Sequence, residues 1–339
     1  MKTIIDVAEL AGVSKSTVSR VISGKGSIKP ATREKVERAM AQLNYVPNQM
    51  ARGIRTGRTN IIALMVSEAS NLYYNELLYA IEAIAREHNY MVVLCNSGTD
   101  PKLAGQYISW LQQRNVDGLI YCFYCNNEIS EALYRLSASS PIVFLDNPLG
   151  THPNVSYVGA DGLTDIAGVV RELVNSDARA IAFVGIEDIC NNTYRFMGYK
   201  AGLSACGYDY DPALVRMVPL REALATSHFV LGYEVAQQLM SQERKPDAII
   251  AATDMLAIGM LRYFNEAGID VPGTVSLVGY DNIHMSSMVT PSLSTVAQPV
   301  KEIAREAMSI LLKKIEEDNN YNRTYLGKSS FICRGSTRQ

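Results

Sequence analysis

Residues 3–23 have the sequence Thr3-Ile-Ile-Asp-Val-Ala-Glu-Leu-Ala-Gly12-Val-Ser14-Lys-Ser-Thr-Val-Ser-Arg20-Val-Ile-Ser23. Thr3 can cap a first helix with Asp6 as its capping-box partner, and Gly12 can end that helix. Ser14 can cap a second helix, because it directly precedes a run with apolar residues at helical spacing. The pattern therefore predicts two short helices joined by a tight turn.

Each of these two helices is predicted to have one apolar side. That side consists of Val7, Ala8, Leu10 and Ala11 in the first helix, and of Val18, Val21 and Ile22 in the second. The residues left pointing outward on the second helix are Lys15, Ser16, Thr17, Ser19 and Arg20. Such a small, polar and basic face is what a helix needs to enter the major groove of DNA.

The charges of this 339-residue chain are distributed unevenly, although its net charge is only −2. Residues 1–58 carry eleven Lys and Arg against four Asp and Glu, a net charge of +7. The remaining residues carry 21 against 30, a net charge of −9. A basic end of this size is the electrostatic footprint of a protein that binds the phosphate backbone. The distribution therefore favours a DNA-binding role for the N-terminal helices.

A third helix is predicted over residues 29–44. Pro30 suits its first position, where a missing N–H costs nothing, although Lys29 stands where a Ser or Thr cap is common. The segment that follows, 45–59, is a poor helix in isolation, since a glycine inside a helix costs about 1 kcal/mol relative to alanine and this segment contains Gly53. We predict that it orders only against a partner.

Several motifs follow one another in this region. They are Asp6-Val-Ala-Glu-Leu-Ala-Gly-Val-Ser14, Thr17-Val-Ser-Arg-Val21, Thr32-Arg-Glu-Lys-Val36, Leu43-Asn-Tyr-Val-Pro-Asn48 and Ala51-Arg52. Together they resemble the headpiece of the LacI/GalR family of transcriptional regulators, and a looser match extends along the whole chain. The resemblance implies a helix-turn-helix headpiece over 1–46, a hinge helix over 47–59 and an effector-binding and dimerisation domain over 60–339.

The resemblance also implies which residues contact DNA. Lys15, Ser16 and Arg20 correspond to base-reading positions of the recognition helix. Ile54 stands where the family usually has a leucine that wedges open a base step from the minor groove. The full set of candidate DNA-binding residues is Thr3, Ser14, Lys15, Ser16, Thr17, Ser19, Arg20, Asn48, Ala51, Arg52, Ile54 and Arg55.

From about residue 60 onward, short apolar runs alternate with amphipathic helical patterns. The runs cover residues 60–66, 90–95, 118–123, 141–146, 180–185, 247–254 and 275–281. Continuous apolar runs separated by helices are typical of a parallel sheet buried on both faces. The region is too long for one comfortable core, so we predict an α/β fold with two subdomains.

The family resemblance implies that these subdomains are two Rossmann-like parallel α/β lobes of the periplasmic-binding-protein type I kind, joined by crossing segments. We predict that the first lobe contains residues 60–158 and 289–318. The second lobe is predicted to contain residues 159–288 and 319–339. The resemblance also implies that the effector binds in the cleft between the lobes. In open α/β sheets ligands bind beyond the carboxyl ends of the strands, so we expect its contacts at the strand ends.

Polar side chains that follow the apolar runs are candidates for effector contacts. By the resemblance, Arg195 corresponds to the family's effector-binding arginine and Asp281 to a carboxylate that accepts ligand hydroxyls. The candidate effector-binding residues are Asn71, Tyr73, Tyr74, Asp146, Asn192, Arg195, Thr253 and Asp281. Carboxylates, a guanidinium group and an aromatic face suit a sugar or sugar derivative, and they also suit a purine or nucleoside.

No cofactor, metal site or membrane span is expected. Cys122 and Cys125 form a C-x-x-C without a second pair at zinc spacing, and no dinucleotide or P-loop fingerprint occurs. No apolar run is long enough to cross a membrane. Since nothing at the N-terminus resembles an apolar targeting segment, we expect a cytoplasmic protein without disulfides.

Three other classes of function fit the sequence less well. A transport-type sugar-binding protein has no use for a basic helical head, and an α/β enzyme would need an acid–base pair or a metal cluster. A DNA-architecture protein would not need a polar cleft. We therefore predict a homodimeric repressor, not an enzyme, that binds pseudo-palindromic double-stranded operator DNA and is switched by a small-molecule effector. No apolar heptads follow Cys333, which favours a dimer over a tetramer.

Overall fold

The computed structural model describes residues 2–23, 27–45, 58–67, 69, 71–98, 101–113, 116–122, 127–145, 155–187, 190–219, 222–223, 226–317 and 319–338. The chain divides into two compact units, Met1–Thr59 and Asn60–Gln339. Of the hinge helix predicted over residues 47–59, only residues 58 and 59 lie within the described ranges. The candidate DNA-binding residues that lie outside them are Asn48, Ala51, Arg52, Ile54 and Arg55.

The described part of the first unit contains the helices α1 (Ile4–Ala11), α2 (Lys15–Ser23) and α3 (Pro30–Gln42). Thr3 and Asp6 form the predicted capping box at the start of α1. Gly12 ends α1 in the left-handed region, with a φ of 66°, which only glycine adopts without steric cost. Pro30 occupies the first turn of α3, and Lys29 makes no side-chain cap there.

The apolar sides of the three helices meet in a small core. Fully buried in it are Val7, Val18 and Val36. The prediction for Leu10 is wrong, because its side chain is 45% exposed. At 3.6 residues per turn, Leu10 lies about 110° from the middle of the face that Val7 and Ala8 define, whereas Ala11 lies close to that middle.

The second unit contains two six-stranded sheets, each covered by helices to form one lobe. The strands of the first lobe are β1 (Ile61–Val66), β2 (Met91–Asn96), β3 (Gly118–Cys122), β4 (Ile142–Leu145), β5 (Ser156–Ala160) and β11 (Thr324–Gly327). Its helices are α4 (Leu72–Glu87), α5 (Pro101–Gln112), α6 (Asn127–Ser137) and α11 (Val300–Glu316). The sheet order is β11-β5-β4-β3-β1-β2, and all neighbours are parallel.

The second lobe repeats this arrangement. Its strands are β6 (Ile181–Ile186), β7 (Val215–Val218), β8 (Ala248–Ala251), β9 (Ser276–Asp281), β10 (Ser294–Ala297) and β12 (Ser330–Ile332). Its helices are α7 (Gly162–Asn175), α8 (Cys190–Ala205), α9 (His228–Ser241) and α10 (Asp254–Glu266). The sheet order is β12-β10-β9-β8-β6-β7, and only the β10–β12 pair is antiparallel among the described strands.

The predicted α/β fold class with two parallel lobes is confirmed. All seven predicted runs form strands, and six of them are buried along nearly their whole length, as a sheet covered on both faces requires. β2 is more exposed because it is the edge strand. Five short strands were not predicted, namely β5, β7, β10, β11 and β12. Within the described residues, no helix combines the length and apolar character that a membrane span requires.

The described chain crosses between the two lobes after β5, after β10 and after β11. The predicted lobe bounds are wrong at the last two crossings. β10 belongs to the second sheet rather than the first, and β11 belongs to the first sheet rather than the second. The crossing segments are short and carry no hydrophobic periodicity that would indicate which sheet receives the next strand.

Two glycines allow α9 and α10 to pack in direct backbone contact. A Cβ atom at Gly232 would lie 2.0 Å from the carbonyl oxygen of Leu256, and one at Gly259 would lie 1.9 Å from that of Phe229. No real Cβ atom tolerates such distances, so the two helices would have to separate. This close pair lies against β8 and β9, whose carboxyl ends carry part of the site described below.

We expect Gly232→Ala to lower the free energy of unfolding by about 1–3 kcal/mol, because the added methyl group forces packed helices apart. The matched control is Gly168→Ala in α7, where the nearest atom to an added Cβ is a side-chain nitrogen of Arg171 at 4.0 Å. The control should be neutral or stabilising by about 0.5–1 kcal/mol. Urea unfolding of the full chain measures both; equal midpoints for the two variants would contradict the packing argument.

Candidate functional site

The outward face of α2 carries the side chains that the sequence singles out. Lys15, Ser16 and Arg20 are exposed, and Thr17 and Ser19 are half-buried. The opposite face of the helix is held in the core of the unit. This arrangement presents a cationic and hydroxyl-rich surface on a rigid helix, which is the geometry that reads base edges in a major groove.

Two of the candidate DNA-binding residues also hold helix ends in place. Ser14 Oγ accepts the backbone N–H of Thr17 at 3.2 Å and so caps α2. Thr3 donates its backbone N–H to Asp6 Oδ2 at 2.6 Å and its hydroxyl at 3.0 Å. These two bonds lower the pKa of Asp6. Ser14 and Thr3 thus fix the N-terminal ends of two helices, where backbone N–H groups favour phosphate.

In the second unit, a cavity of about 260 Å³ lies where the chain crosses between the lobes. The ends of β5, β9 and β10 meet there with the first turn of α7 and the second turn of α8. The polar and aromatic residues that line it are Asp161, Thr164, Tyr194, Arg195, Tyr280 and Gln298. The cavity therefore lies at the carboxyl ends of parallel strands, where the sheet rule predicts a ligand.

Arg195, in α8, is the most constrained cation of this cavity. The residue is 5% exposed, and its guanidinium carbon lies 3.7 Å from the centre of the Tyr280 ring. Its Nη1 donates to the carbonyl oxygen of Ala252, and its Nη2 lies 3.8 Å from Asp281 Oδ1. A buried guanidinium needs such partners because it has lost its water. Its fork is consequently held in one orientation beside the cavity.

Asp281 ends β9 and is also 5% exposed. Its Oδ1 accepts a hydrogen bond from Gln298 Nε2 at 2.7 Å, in addition to the contact with Arg195. Gln298 follows β10 at a crossing between the lobes. The carboxylate of Asp281 is thus held by Arg195 from the second lobe and by Gln298 from a crossing segment.

Tyr280 links the cavity to a second acid. Its hydroxyl donates to Asp165 Oδ2 at 2.7 Å, which fixes the ring beneath the guanidinium of Arg195. Burial raises the pKa of Asp165, and the hydrogen bond from Tyr280 opposes that rise. Burial likewise raises the pKa of Tyr280 well above its ordinary value, so its hydroxyl remains a donor.

Among the predicted effector residues, Arg195 lines the cavity, whereas Asp281 lies 3.8 Å from its guanidinium without lining the cavity. Other candidates have different surroundings. Tyr73 is packed in the core, and Asn71 caps α4 by accepting the N–H of Tyr73 at 3.0 Å. Thr253 caps α10 in the same way, through the N–H of Leu256. None of these three residues lines the cavity beside Arg195.

The remaining effector candidates are Tyr74, Asp146 and Asn192. Tyr74 is half-buried next to Tyr73, with the two ring centres 5.4 Å apart, and it does not line the cavity. Asp146 lies outside the described residues, and Asn192 falls in the first turn of α8 with its side chain outside them. A ligand role for all three stays a prediction.

Of the six polar and aromatic residues that line the cavity, sequence reasoning predicted only Arg195 and missed the other five, which are Asp161, Thr164, Tyr194, Tyr280 and Gln298. Asp161 directly follows β5, so the strand-end rule would have found it had the short strand been recognised. Tyr194 adjoins Arg195 in the same helical turn. Gln298 stands on a crossing segment and carries no sequence signal of its own. In the part of the chain that the structure describes, no group of three His, Cys, Asp or Glu side chains is arranged to hold a metal ion.

Comparison with known proteins assigns both units to established families. Residues 3–48 match the bacterial regulatory proteins of the lacI family, and residues 170–337 match the periplasmic binding protein-like domain. Catabolite control protein A of Priestia megaterium is 31% identical over 321 residues, which make up 93% of this chain and 93% of that protein.

Solved structures give the same result over the whole chain. The complex of the transcriptional regulator CelR with cellobiose has a TM-score of 0.75 and 28% identity, covering 99% of this chain and all of that one. The lac repressor dimer bound to operator and the anti-inducer ONPF has a TM-score of 0.85 and 25% identity, covering 100% and 99%. The chain therefore belongs to the LacI family of bacterial regulatory proteins, and it is a DNA-binding transcriptional regulator with an effector-binding domain rather than an enzyme.

Proposed function

We propose that the cavity beside Arg195 and Asp281 binds the effector, and that this effector is a sugar or sugar derivative. The observation that carries the proposal is a buried arginine that lines a cavity at the strand ends and is held there by the buried carboxylate of Asp281. A volume of about 260 Å³ is slightly below the usual range of about 300–1,000 Å³ for drug-sized ligands. It suits a small ring.

The chemistry of the lining favours hydroxyl groups as ligands. The carboxylate of Asp161 accepts hydroxyl protons, and Thr164 and Gln298 can both donate and accept. A purine or nucleoside would instead need an open aromatic face for stacking. The face of Tyr280 is covered by the guanidinium of Arg195, and Tyr194 is the other aromatic residue of the lining, so polar groups outnumber aromatic faces there, which favours the sugar. The cellobiose complex of the relative CelR supports this class of ligand.

The DNA partner in this proposal is a pseudo-palindromic operator that two copies of the chain bind together. One α2 helix reads each half-site through Lys15, Ser16 and Arg20, since paired headpieces require paired half-sites. Two large apolar side chains exposed on the second unit support a homodimer, because an interface would bury them: Tyr79 of α4 is 72% exposed and Met91 of β2 is 68% exposed. The proposal places the protein in the cytoplasm, where bacterial operator DNA is found.

Coupling between effector binding and operator binding would act through the closure of the two lobes. Glu76 Oε1 in α4 of the first lobe accepts the backbone N–H of His284, just after β9 in the second lobe, at 3.2 Å. The cavity lies at the crossing segments, so a ligand there contacts both lobes. An effector that binds one lobe arrangement more tightly shifts the population towards it and thereby changes operator affinity.

The direct test is selection of operators from a random duplex pool with the full chain, repeated with a panel of sugars and nucleosides. We expect one palindromic site whose affinity changes with a sugar. Enrichment without any response to the panel would leave the cavity proposal unsupported. A response to a nucleoside alone would contradict the sugar assignment.

We expect Arg195→Ala to weaken sugar binding by about 30-fold and to abolish the sugar response, because hydrogen bonds to charged groups contribute about 1.5–3 kcal/mol. Operator binding without sugar should remain intact. The matched control is Arg244→Ala in the same lobe, whose guanidinium pairs with Asp211 at the surface at 2.5 Å. Calorimetric titration of both variants measures the difference; an unchanged sugar response in Arg195→Ala would rule out the assignment.

We expect Ile54→Ala to weaken binding to the selected operator by about tenfold, with little effect on binding to random duplexes. The wedge contributes binding free energy only where the central base step of the operator unstacks to admit it. Ile5→Ala is the matched control, since Ile5 is an exposed apolar residue outside the candidate interface. Titration of the selected operator and of a random duplex with each variant, at one salt concentration, measures the two affinities. Equal losses on the two duplexes would argue against a wedge.

A further inference from the structure

The turn after β9 carries two consecutive residues with left-handed backbone. Asp281 has a φ of 119° and Asn282 a φ of 57°. Asparagine tolerates the second value, but the first lies outside the small left-handed well that side-chain-bearing residues occupy. Such a conformation persists only where the surrounding structure imposes it. The residue held in this way is the carboxylate that meets Arg195 and Gln298.

Asp254, the first residue of α10, lies beneath this turn and is fully buried. Its Oδ2 accepts the backbone N–H of Ile283 at 2.9 Å, and its Oδ1 accepts the hydroxyl of Thr295 at 2.5 Å. The oxygen of that hydroxyl accepts the N–H of Asn282 at 3.3 Å. The two backbone amides that follow Asp281 are therefore both bound by the Asp254–Thr295 pair.

The sheet leaves room for this carboxylate. A Cβ atom at Gly279 would lie 2.2 Å from Asp254 Oδ1, so only a glycine in β9 admits the side chain. A third contact comes from the C-terminal segment, where Arg334 Nη2 donates to Asn282 Oδ1 at 2.6 Å. Groups from α10, β10 and the C-terminal segment thus converge on the strained turn.

We propose that Asp254 is a positioning residue of the effector site, which fixes the strained Asp281–Asn282 turn through hydrogen bonds and so holds the Asp281 carboxylate against Arg195 and Gln298, two residues that line the cavity. The inference rests on the proposed role of that cavity. Neither Asp254 nor Asp281 lines the cavity, so Asp254 acts through Asp281 on the lining residues Arg195 and Gln298.

The electrostatics of the site support this role over simple stabilisation. Burial, and then the charge of Asp281, raise the pKa of Asp254 well above its ordinary value. An acid buried without a charged partner in contact is a poor choice for stability alone. Its two carboxylate oxygens accept hydrogen bonds from the Ile283 N–H and the Thr295 hydroxyl. An apolar residue of similar size could accept neither bond.

The variants Asp254→Asn and Asp254→Ala separate hydrogen bonding from charge. The amide keeps an acceptor for Ile283 N–H and can donate to Thr295, whereas alanine leaves both donors unmatched. Tyr199→Phe is the matched control, because it removes a buried hydrogen bond of 2.8 Å, from its hydroxyl to the carbonyl of Ile181, at the opposite end of the same sheet.

The first readout is hydrogen exchange of the full chain without ligand. We expect Asp254→Ala to speed exchange of the Asn282 and Ile283 amides by about tenfold or more, with Asp254→Asn within about threefold of the parent. Tyr199→Phe should lower the melting temperature without changing exchange at this turn. Unchanged exchange at the turn in Asp254→Ala overturns the inference, whatever the ligand is.

The second readout is the affinity for the probes D-glucose, D-ribose and cellobiose. For any probe that the parent binds, Asp254→Ala should lose about 30-fold in affinity while Asp254→Asn and Tyr199→Phe stay within about threefold. An equal loss in Tyr199→Phe reduces Asp254 to a stability role and overturns the inference. If the parent binds none of the probes, the proposed effector class fails, and the exchange result alone decides whether Asp254 fixes the turn.

Discussion

The burial of a guanidinium and a carboxylate side by side is the constraint that organises the second unit. Arg195 and Asp281 have almost no contact with water, so each must find its partners inside the protein. Arg195 takes them from the end of β8 through the Ala252 carbonyl and from β9 through the Tyr280 ring. Gln298 ties Asp281 to a crossing segment. The strand ends of one lobe and the connection to the other therefore form one polar cluster, and a ligand that touches it acts on the geometry of both lobes.

The two units differ in net charge, and this difference separates DNA attraction from effector binding. The first unit is strongly basic and the second is acidic, so attraction to phosphate is confined to the headpiece. That attraction supplies affinity for any DNA and makes it depend on salt. In the proposed function, discrimination between sequences comes from the few side chains on α2, whose helix is held in place by Val18 and Ser14, and from the wedge at Ile54. An effector can then act on specific binding without changing the headpiece itself.

Much of this could be predicted from sequence where the cause is local. Gly12, Pro30 and the Thr3–Asp6 capping box specify helix ends by their own chemistry, and long apolar runs specify buried strands. Arg195 and Asp281 followed from the rule that ligands bind at strand ends, together with the family resemblance. Leu10 was misassigned because an eight-residue helix has only a narrow buried face. The lobe bounds, Gln298 and the core position of Tyr73 depend on how segments distant in sequence meet, and no local pattern encodes that.

The most direct measurement of ligand control over DNA binding is thermodynamic reciprocity. The dissociation constant of the selected operator is measured with and without saturating effector, and that of the effector with and without saturating operator. If one chain couples the two sites, the two ratios must be equal, and a factor of about 5–150 is typical of such coupling. We predict equal ratios well above one. Tight effector binding that leaves operator affinity unchanged would contradict the coupling between the cavity and the headpiece.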